Sequence, residues 1–354
     1  MNIVYDRFLW EHLKKTDKPV VMYGMGNGAD KILAVAERYG VEICDFFASD
    51  GFVRGHQFHG KRVLSYSEAK EKYGDMIVLL SFASSLPDVM ANFYRIADEC
   101  EFYAPDVPVF GDILFTPDFV KDNIEKLETV YAMLFDERSK EIYENVINYK
   151  LSGDISYLRA AESDEAEVNA LIGAADLTSY ADLGAYTGDT VKKMLDIAPS
   201  IKRVLALEPD ARNFRKLTAY AETETRCKIE AHNTGAWSHR DTLFFDASGN
   251  RNANIGENKK GKTALVDSLD SVLAGESIDY IKYDVEGSEK EALLGTKNTI
   301  EKYAPTLLVS LYHRSEDIFE LPLLVQKLCP DYKLYLRRFP YIPAWDLNLY
   351  AVKK

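Results

Sequence analysis

Short apolar runs and stretches of helical period alternate in the first third of this chain and again in its second half, with a purely helical stretch between. After Lys18-Pro19, the run Val20 to Gly24 predicts a buried strand that enters a glycine loop, GMGNG, and a helix from about Ala29 to Tyr39. Further strands are predicted at Val41 to Phe47, Met76 to Phe82 and Cys100 to Pro105, with helices near 67–73 and 86–98. Strands and helices alternating at this spacing imply a parallel sheet. A proline and glycine cluster, Pro105 to Gly111, ends the segment.

From Thr116-Pro117 to about Ile172, apolar residues such as Ile124, Leu127, Val130, Ile142 and Val146 recur at three and four. This predicts a bridge of three or four helices, Thr116 serving as N-cap with proline in the first turn. The bridge is expected to pack the two halves together, with a substrate lid or homodimer surface as alternatives. Strand patterns resume at Tyr180 to Leu183, Arg203 to Leu207, Lys228 to Ala231, Ile278 to Tyr283, Thr306 to Leu311, Tyr332 to Leu336 and Asn348 to Val352. Only RRFPYIPAWD separates the last two, so they are expected to pair antiparallel. A turn at Ser248-Gly249-Asn250 implies an added hairpin, and Lys259, Lys260 and Lys262 read as a solvated turn. The fold class is therefore α/β: two Rossmann-like domains, 1–111 and 176–354, joined by a helical bridge, 112–175. Six parallel strands and one antiparallel strand make the second a class I methyltransferase sheet rather than an NAD-binding one.

Composition narrows the partners. Acidic residues outnumber basic ones by 56 to 43, giving a net charge of −13, which opposes binding to nucleic acid or an anionic membrane surface. No apolar run reaches the roughly 18 residues of a membrane span, and the amphipathic start MNIVYDRFLWEHLKK does not read as an export signal, so the expected compartment is the cytoplasm. Cys44, Cys100, Cys227 and Cys329 are too scattered for a disulfide framework or metal knuckle. His56, His59 and His232 lack metal-binding spacing and read as loop or core histidines.

Candidate chemistry gathers in the second half. ADLGAYTGDT places Asp182 at a strand end, Gly184 and Gly188 four apart, and Tyr186 where a dinucleotide loop carries its second glycine. S-adenosylmethionine has no phosphate but carries an ammonium, a carboxylate and a sulfonium, which suits a strand-tip carboxylate and a roomier loop. The next strand ends in LALEPD, where Glu208 is placed for two ribose hydroxyls, and IKYDVEGSE follows later. Together with HNTGAWSH, VDSLDSV and APTLLVSLYHRSEDIFELP, these segments make residues from about 178 to 354 resemble the FkbM family of S-adenosylmethionine-dependent O-methyltransferases. The resemblance implies that Asp182, Gly184, Ala185, Tyr186 and Gly188 surround the methionine part. It also implies that Glu208 holds the ribose and that Asn233, Thr234, Gly235 and Ala236 flank the adenine. Many relatives carry an acid where this chain has His313.

A hydroxyl acceptor must lose a proton, and the carboxyl ends of strands beside the cofactor present Asp284, Glu286 and His313. His313, titrating nearest neutrality, is the expected base; the same trio suits Mg²⁺ or Mn²⁺ as an alternative, though no metal is assigned. In the first half GMGNGA satisfies G-x-G-x-x-A, with Asp45 and Asp50 near the acid position. That segment resembles the nucleotide-binding domains ahead of sugar-modifying acyltransferases. The expected function is O-methylation of a carbohydrate, nucleotide-sugar or related hydroxyl. Two rivals stand beside it: an NAD-dependent sugar-nucleotide oxidoreductase and a non-catalytic binding protein.

Overall fold

The computed structural model describes residues 1–53, 55–246 and 261–353. Strands β1 (Val20–Tyr23), β2 (Asp45–Ala48), β3 (Leu64–Ser65), β4 (Ile77–Leu80) and β5 (Glu101–Tyr103) form a parallel sheet in the order β3-β2-β1-β4-β5. Every residue of β1, β2 and β4 is buried, as expected for strands covered by helices on both faces. The strand expected from Val41 begins only at Asp45. The helix Asn27–Tyr39 ends on Gly40 in the left-handed region, and Ser65 and Glu68 form a reciprocal capping box that starts the helix Tyr66–Tyr73.

The order reverses between β1 and β4, so the Gly24–Gly28 loop faces the loop from Ser81 to Leu86. A Cβ on Gly28 would stand 2.2 Å from the Ser81 carbonyl oxygen, and one on Gly24 would stand 2.6 Å from the Phe82 ring. The glycines thus admit close packing of helix, loop and a phenyl ring over the strand end.

The bridge consists of five helices rather than three or four: Pro117–Asp122, Ile124–Met133, Glu137–Ser152, Ile155–Ala160 and Glu165–Leu171. Asn123 leaves helical geometry and splits the first pair, and Gly153 at φ 68° stops the long helix. That helix grips both sheets. Tyr149 donates to the Ala104 carbonyl (2.9 Å) and Lys150 pairs with Asp106 (3.1 Å) on the first-sheet side, while Ser139 Oγ accepts from Leu336 N (2.9 Å) on the other. One apolar core runs through Val21, Tyr149 and Leu349, so the bridge is a packed layer rather than an open linker.

The second sheet holds β6 (Ser179–Leu183), β7 (Arg203–Leu207), β8 (Lys228–His232), β9 (Tyr280–Tyr283), β10 (Thr306–Ser310), β11 (Lys333–Arg338) and β12 (Leu347–Val352), ordered β8-β7-β6-β9-β10-β12-β11. Antiparallel β12 lies between β10 and β11. The added hairpin pairs Asp241–Asp246 with Gly261–Asp267 and takes in Gly235–Ala236 as a third strand. Its turn, with Ser248-Gly249-Asn250, Lys259 and Lys260, lies outside the described residues, as does the Lys262 side chain.

The carboxyl ends of the two sheets meet. Ser84, after β4, exchanges two backbone hydrogen bonds with Ile342, in the loop between β11 and β12, and Lys31 donates to the carbonyls of Pro108 and Val109. Among the described residues no helix is long and apolar enough to cross a membrane.

Candidate active site

Beyond β6 the chain must turn beneath its neighbour β9. Gly184 sits at φ +92°, and a Cβ there would lie 2.0 Å from the Asp284 carbonyl oxygen, so no side chain fits. Gly188, at φ +91°, presses on the Tyr220 ring and opens the helix Asp189–Ile197. Gly184 N and Ala185 N both donate to the Leu207 carbonyl, and exposed Tyr186, itself at φ +49°, donates its N–H to Glu208 Oε2 at 2.9 Å. Glu208 Oε1 accepts from Asp210 N (2.8 Å), and Asp210 in turn caps the helix Ala211–Thr223. Asn233 Nδ2 reaches back to the Glu208 carbonyl at 2.9 Å, and Thr234 donates to the Leu265 carbonyl at 3.2 Å. Buried Gly235 and Ala236 follow on the same rim.

Asp182 stands apart from this rim. Its carboxylate is fully buried, accepting from Thr190 (2.5 Å) and from Lys282 Nζ (3.2 Å), so it braces the loop from beneath where direct contact with a ligand was expected.

The ends of β9 and β10 supply a second cluster. Lys282 also lies 3.3 Å from Asp284; burial works against its charge, but the two aspartates prevail and raise its pKa. Burial pushes Asp284 up, yet Lys282 and His313 hold it at about 2, and Tyr312 donates to it at 2.9 Å. His313 is almost wholly enclosed. Its Nε2 faces Asp284 (3.7 Å) and Glu286 (3.8 Å), and its Nδ1 lies 2.8 Å from Glu289 Oε1. Burial favours the neutral ring, but Glu289, Asp284 and Glu286 together raise it to about 9. The expectation that His313 titrates near neutrality is therefore corrected: the surrounding acids favour the protonated ring, and a ring that carries its proton is no base.

Glu286, at φ +57°, is half-exposed. The buried acid beside His313 is instead Glu289, which the sequence reading missed. An acid in the first turn of a helix normally reads as a solvated dipole partner. Here the turn at Gly287 folds it inward, and Glu289 Oε1 accepts from Val285 N at 2.9 Å. Asp317 lies close behind, pushed up to about 8 by burial and by Glu289. Phe110, arriving from the segment between first sheet and bridge, packs on Gly287 and donates its backbone N–H to the His313 carbonyl. Tyr312, Trp345 and Tyr341 form a partly exposed aromatic row beside the cluster, with ring centroids 6.5 and 5.7 Å apart. His56 and His59 are exposed elsewhere.

Residues 182–342, which span both clusters, match the methyltransferase FkbM domain model. The chain carries an FkbM methyltransferase domain. It is accordingly a methyltransferase, with S-adenosylmethionine as donor. Around that domain, the fold resembles the FkbM methyltransferase from Methylobacillus flagellatus KT, at 21% identity and a TM-score of 0.71, over 98% of this chain and 91% of that one. The likeness thus includes the first sheet and the bridge. A more distant resemblance, at 14% identity and a TM-score of 0.35, links 53% of the chain to 74% of Aeropyrum pernix fibrillarin, solved with natively bound S-adenosyl-L-methionine. No curated protein matches the sequence.

Proposed function

We propose that this FkbM methyltransferase methylates a hydroxyl of a carbohydrate, nucleotide-sugar or related cytoplasmic metabolite. The observation that carries the reading is the convergence, at one carboxyl edge, of the glycine loop and Glu208 with Asp284, Glu286 and His313. The donor set fits the cofactor: the Gly184–Gly188 loop offers close backbone approach, Glu208 suits ribose hydroxyls, Asn233 to Ala236 would flank the adenine, and the acids beyond β9 would favour a cationic sulfonium. When bound, the cofactor supplies an electrophilic methyl group.

The protein's work is chiefly positioning. Holding donor and acceptor in line can supply roughly 7–11 kcal/mol of the barrier. Glu286, half-exposed, would take the hydroxyl proton as the oxygen bonds to the methyl carbon and the methyl–sulfur bond breaks, sulfur leaving with the electron pair. Tyr312, Trp345 and Tyr341 offer apolar ring faces beside carboxylates, a combination suited to the mixed faces of a sugar.

The test is transfer of labelled methyl from S-adenosylmethionine to panels of nucleotide sugars and glycans. Product methylated on oxygen, absent with Glu286→Gln, supports the reading; transfer only to nitrogen or carbon acceptors rejects it. Phe82 over Gly24, and the Ser84–Ile342 contact beside it, favour a bracing role for the first sheet over the NAD-dependent rival.

A further inference from the structure

We propose that Asp284, Glu289 and His313 form a binding site for a divalent cation of the Mn²⁺ or Mg²⁺ type. Each offers a ligand atom, and the three atoms lie within 4.8 Å of one another. They arrive from separate elements: the end of β9, the helix Glu289–Leu294 and the end of β10.

Proximity of acids alone would not make a site. The second observation is unmet bonding. Among the described residues five buried side-chain polar atoms have no hydrogen-bond partner, and two of them, Glu289 Oε2 and His313 Nδ1, belong to this cluster. Both residues are about 99% buried, where an unmet polar atom is costly. His313 Nδ1 lies 2.8 Å from Glu289 Oε1 without forming an aligned hydrogen bond, a separation that suits neighbouring ligands on one ion.

The surroundings match a metal centre. Two carboxylates and an imidazole are a donor set for Mn²⁺ and, with more water retained, Mg²⁺. Tyr312 and Lys282 orient the Asp284 carboxylate, while Val285 N and Gly287 N hold Glu289, as outer partners orient metal ligands elsewhere. Asp182, Asp284, Glu286 and Glu289 set four carboxylates around Lys282 and His313, and an arriving divalent cation takes the place of the imidazole proton, which is released as the ring nitrogen becomes a ligand. Asp284 is partly exposed, which leaves the cluster one side toward solvent.

Three protein ligands leave coordination positions for the acceptor oxygen, whose proton the ion would make more acidic. The oxygen–methyl bond then forms as the methyl–sulfur bond breaks, sulfur keeps the electron pair as a neutral thioether, and the proton goes to Glu286. This use of the ion rests on the hydroxyl-transfer reading above; the binding of the ion does not.

The test is titration of the full-length protein, stripped with chelator, with Mn²⁺ alone, following free Mn²⁺ by electron paramagnetic resonance. One ion per chain is expected, with affinity at least about tenfold weaker in Asp284→Asn, Glu289→Gln and His313→Gln and unchanged in the surface variant Asp75→Asn. Glu289→Gln keeps an amide oxygen for the two backbone N–H groups, and circular dichroism verifies its fold. No saturable binding, or binding equal in parent and site variants, overturns the proposal. Failure of every hydroxyl acceptor while Mn²⁺ binds as expected rejects the substrate reading and leaves the ion site standing.

Discussion

Asp182 and Asp284, at the ends of adjacent strands, share a single ammonium: Lys282 Nζ lies 3.2 Å from one and 3.3 Å from the other. The charged layer beneath the Gly184–Gly188 loop is thereby coupled to the cluster of Asp284, Glu289 and His313. Lys282→Met keeps the bulk and removes the charge, leaving two carboxylates with no cation between them. Breaking a buried pair in this way costs about 3–5 kcal/mol. Urea unfolding should show that loss, and an unchanged midpoint would mean that the pair is already solvated.

Glu208 ties the loop after β6 to the one after β7 through Tyr186 N and Asp210 N. Glu208→Ala should therefore weaken S-adenosylmethionine binding by about ten- to a hundredfold, equivalent to roughly 1.5–3 kcal/mol for a lost charged hydrogen bond. Calorimetric titration reads this directly. Asp182→Asn is expected to act differently, lowering stability more than affinity, because its carboxylate meets Thr190 and Lys282 beneath the rim.

The acid limb of stability should depend on the bridge. Burial pushes Asp136 up, but Arg337 and Ser139 prevail and hold its carboxyl below the usual range. A carboxyl whose folded pKa is depressed stabilises fully above its unfolded value near 4, and that contribution is lost as pH falls through the folded value. Asp136 is one-third exposed, so Asp136→Asn should cost only about 1–2 kcal/mol at pH 7. The gap between variant and parent should close below about pH 4. A gap constant with pH would assign the effect to lost hydrogen bonding alone.

Much of the second sheet was legible because its strands are apolar runs bounded by sharp signals: Arg203 to Leu207 was predicted and found with the same limits. The Gly184–Gly188 loop and Glu208 were legible for a related reason, since positive φ and a strand-tip acid leave local marks. Lys282 was not, because a lysine inside a strand reads as a surface residue until Asp182 and Asp284 flank it. Glu289 reads as a helix-start acid until Gly287 reverses the chain. Phe110 lies about 200 residues from His313 in sequence, and only the docking of the two sheets brings them together. The bridge yielded its helices but not their number, since Asn123 breaks the helix through geometry that its apolar period does not announce.

The last two glycines of GMGNG, Gly26 and Gly28, separate packing from nucleotide binding in the first sheet. Gly26, at φ +93°, has open space where a Cβ would lie, whereas the Cβ of Gly28→Ala would meet the Ser81 carbonyl oxygen at 2.2 Å. With ψ at −159° Gly26 occupies backbone space almost reserved for glycine, so Gly26→Ala should cost about 1–3 kcal/mol of backbone strain and no steric clash. Gly28→Ala must push the helix Asn27–Tyr39 away from the loop after β4, which carries Phe82 and Ser84. Because Ser84 is hydrogen-bonded to Ile342, that displacement reaches the loop carrying Trp345, whose ring neighbours Tyr312. The expected pattern is a larger loss of stability in Gly28→Ala than in Gly26→Ala, with altered Trp345 fluorescence in the former, and no heat on titrating the parent with NAD. Saturable NAD binding that Gly26→Ala abolishes would assign the loop to a dinucleotide and remove the bracing role argued for it.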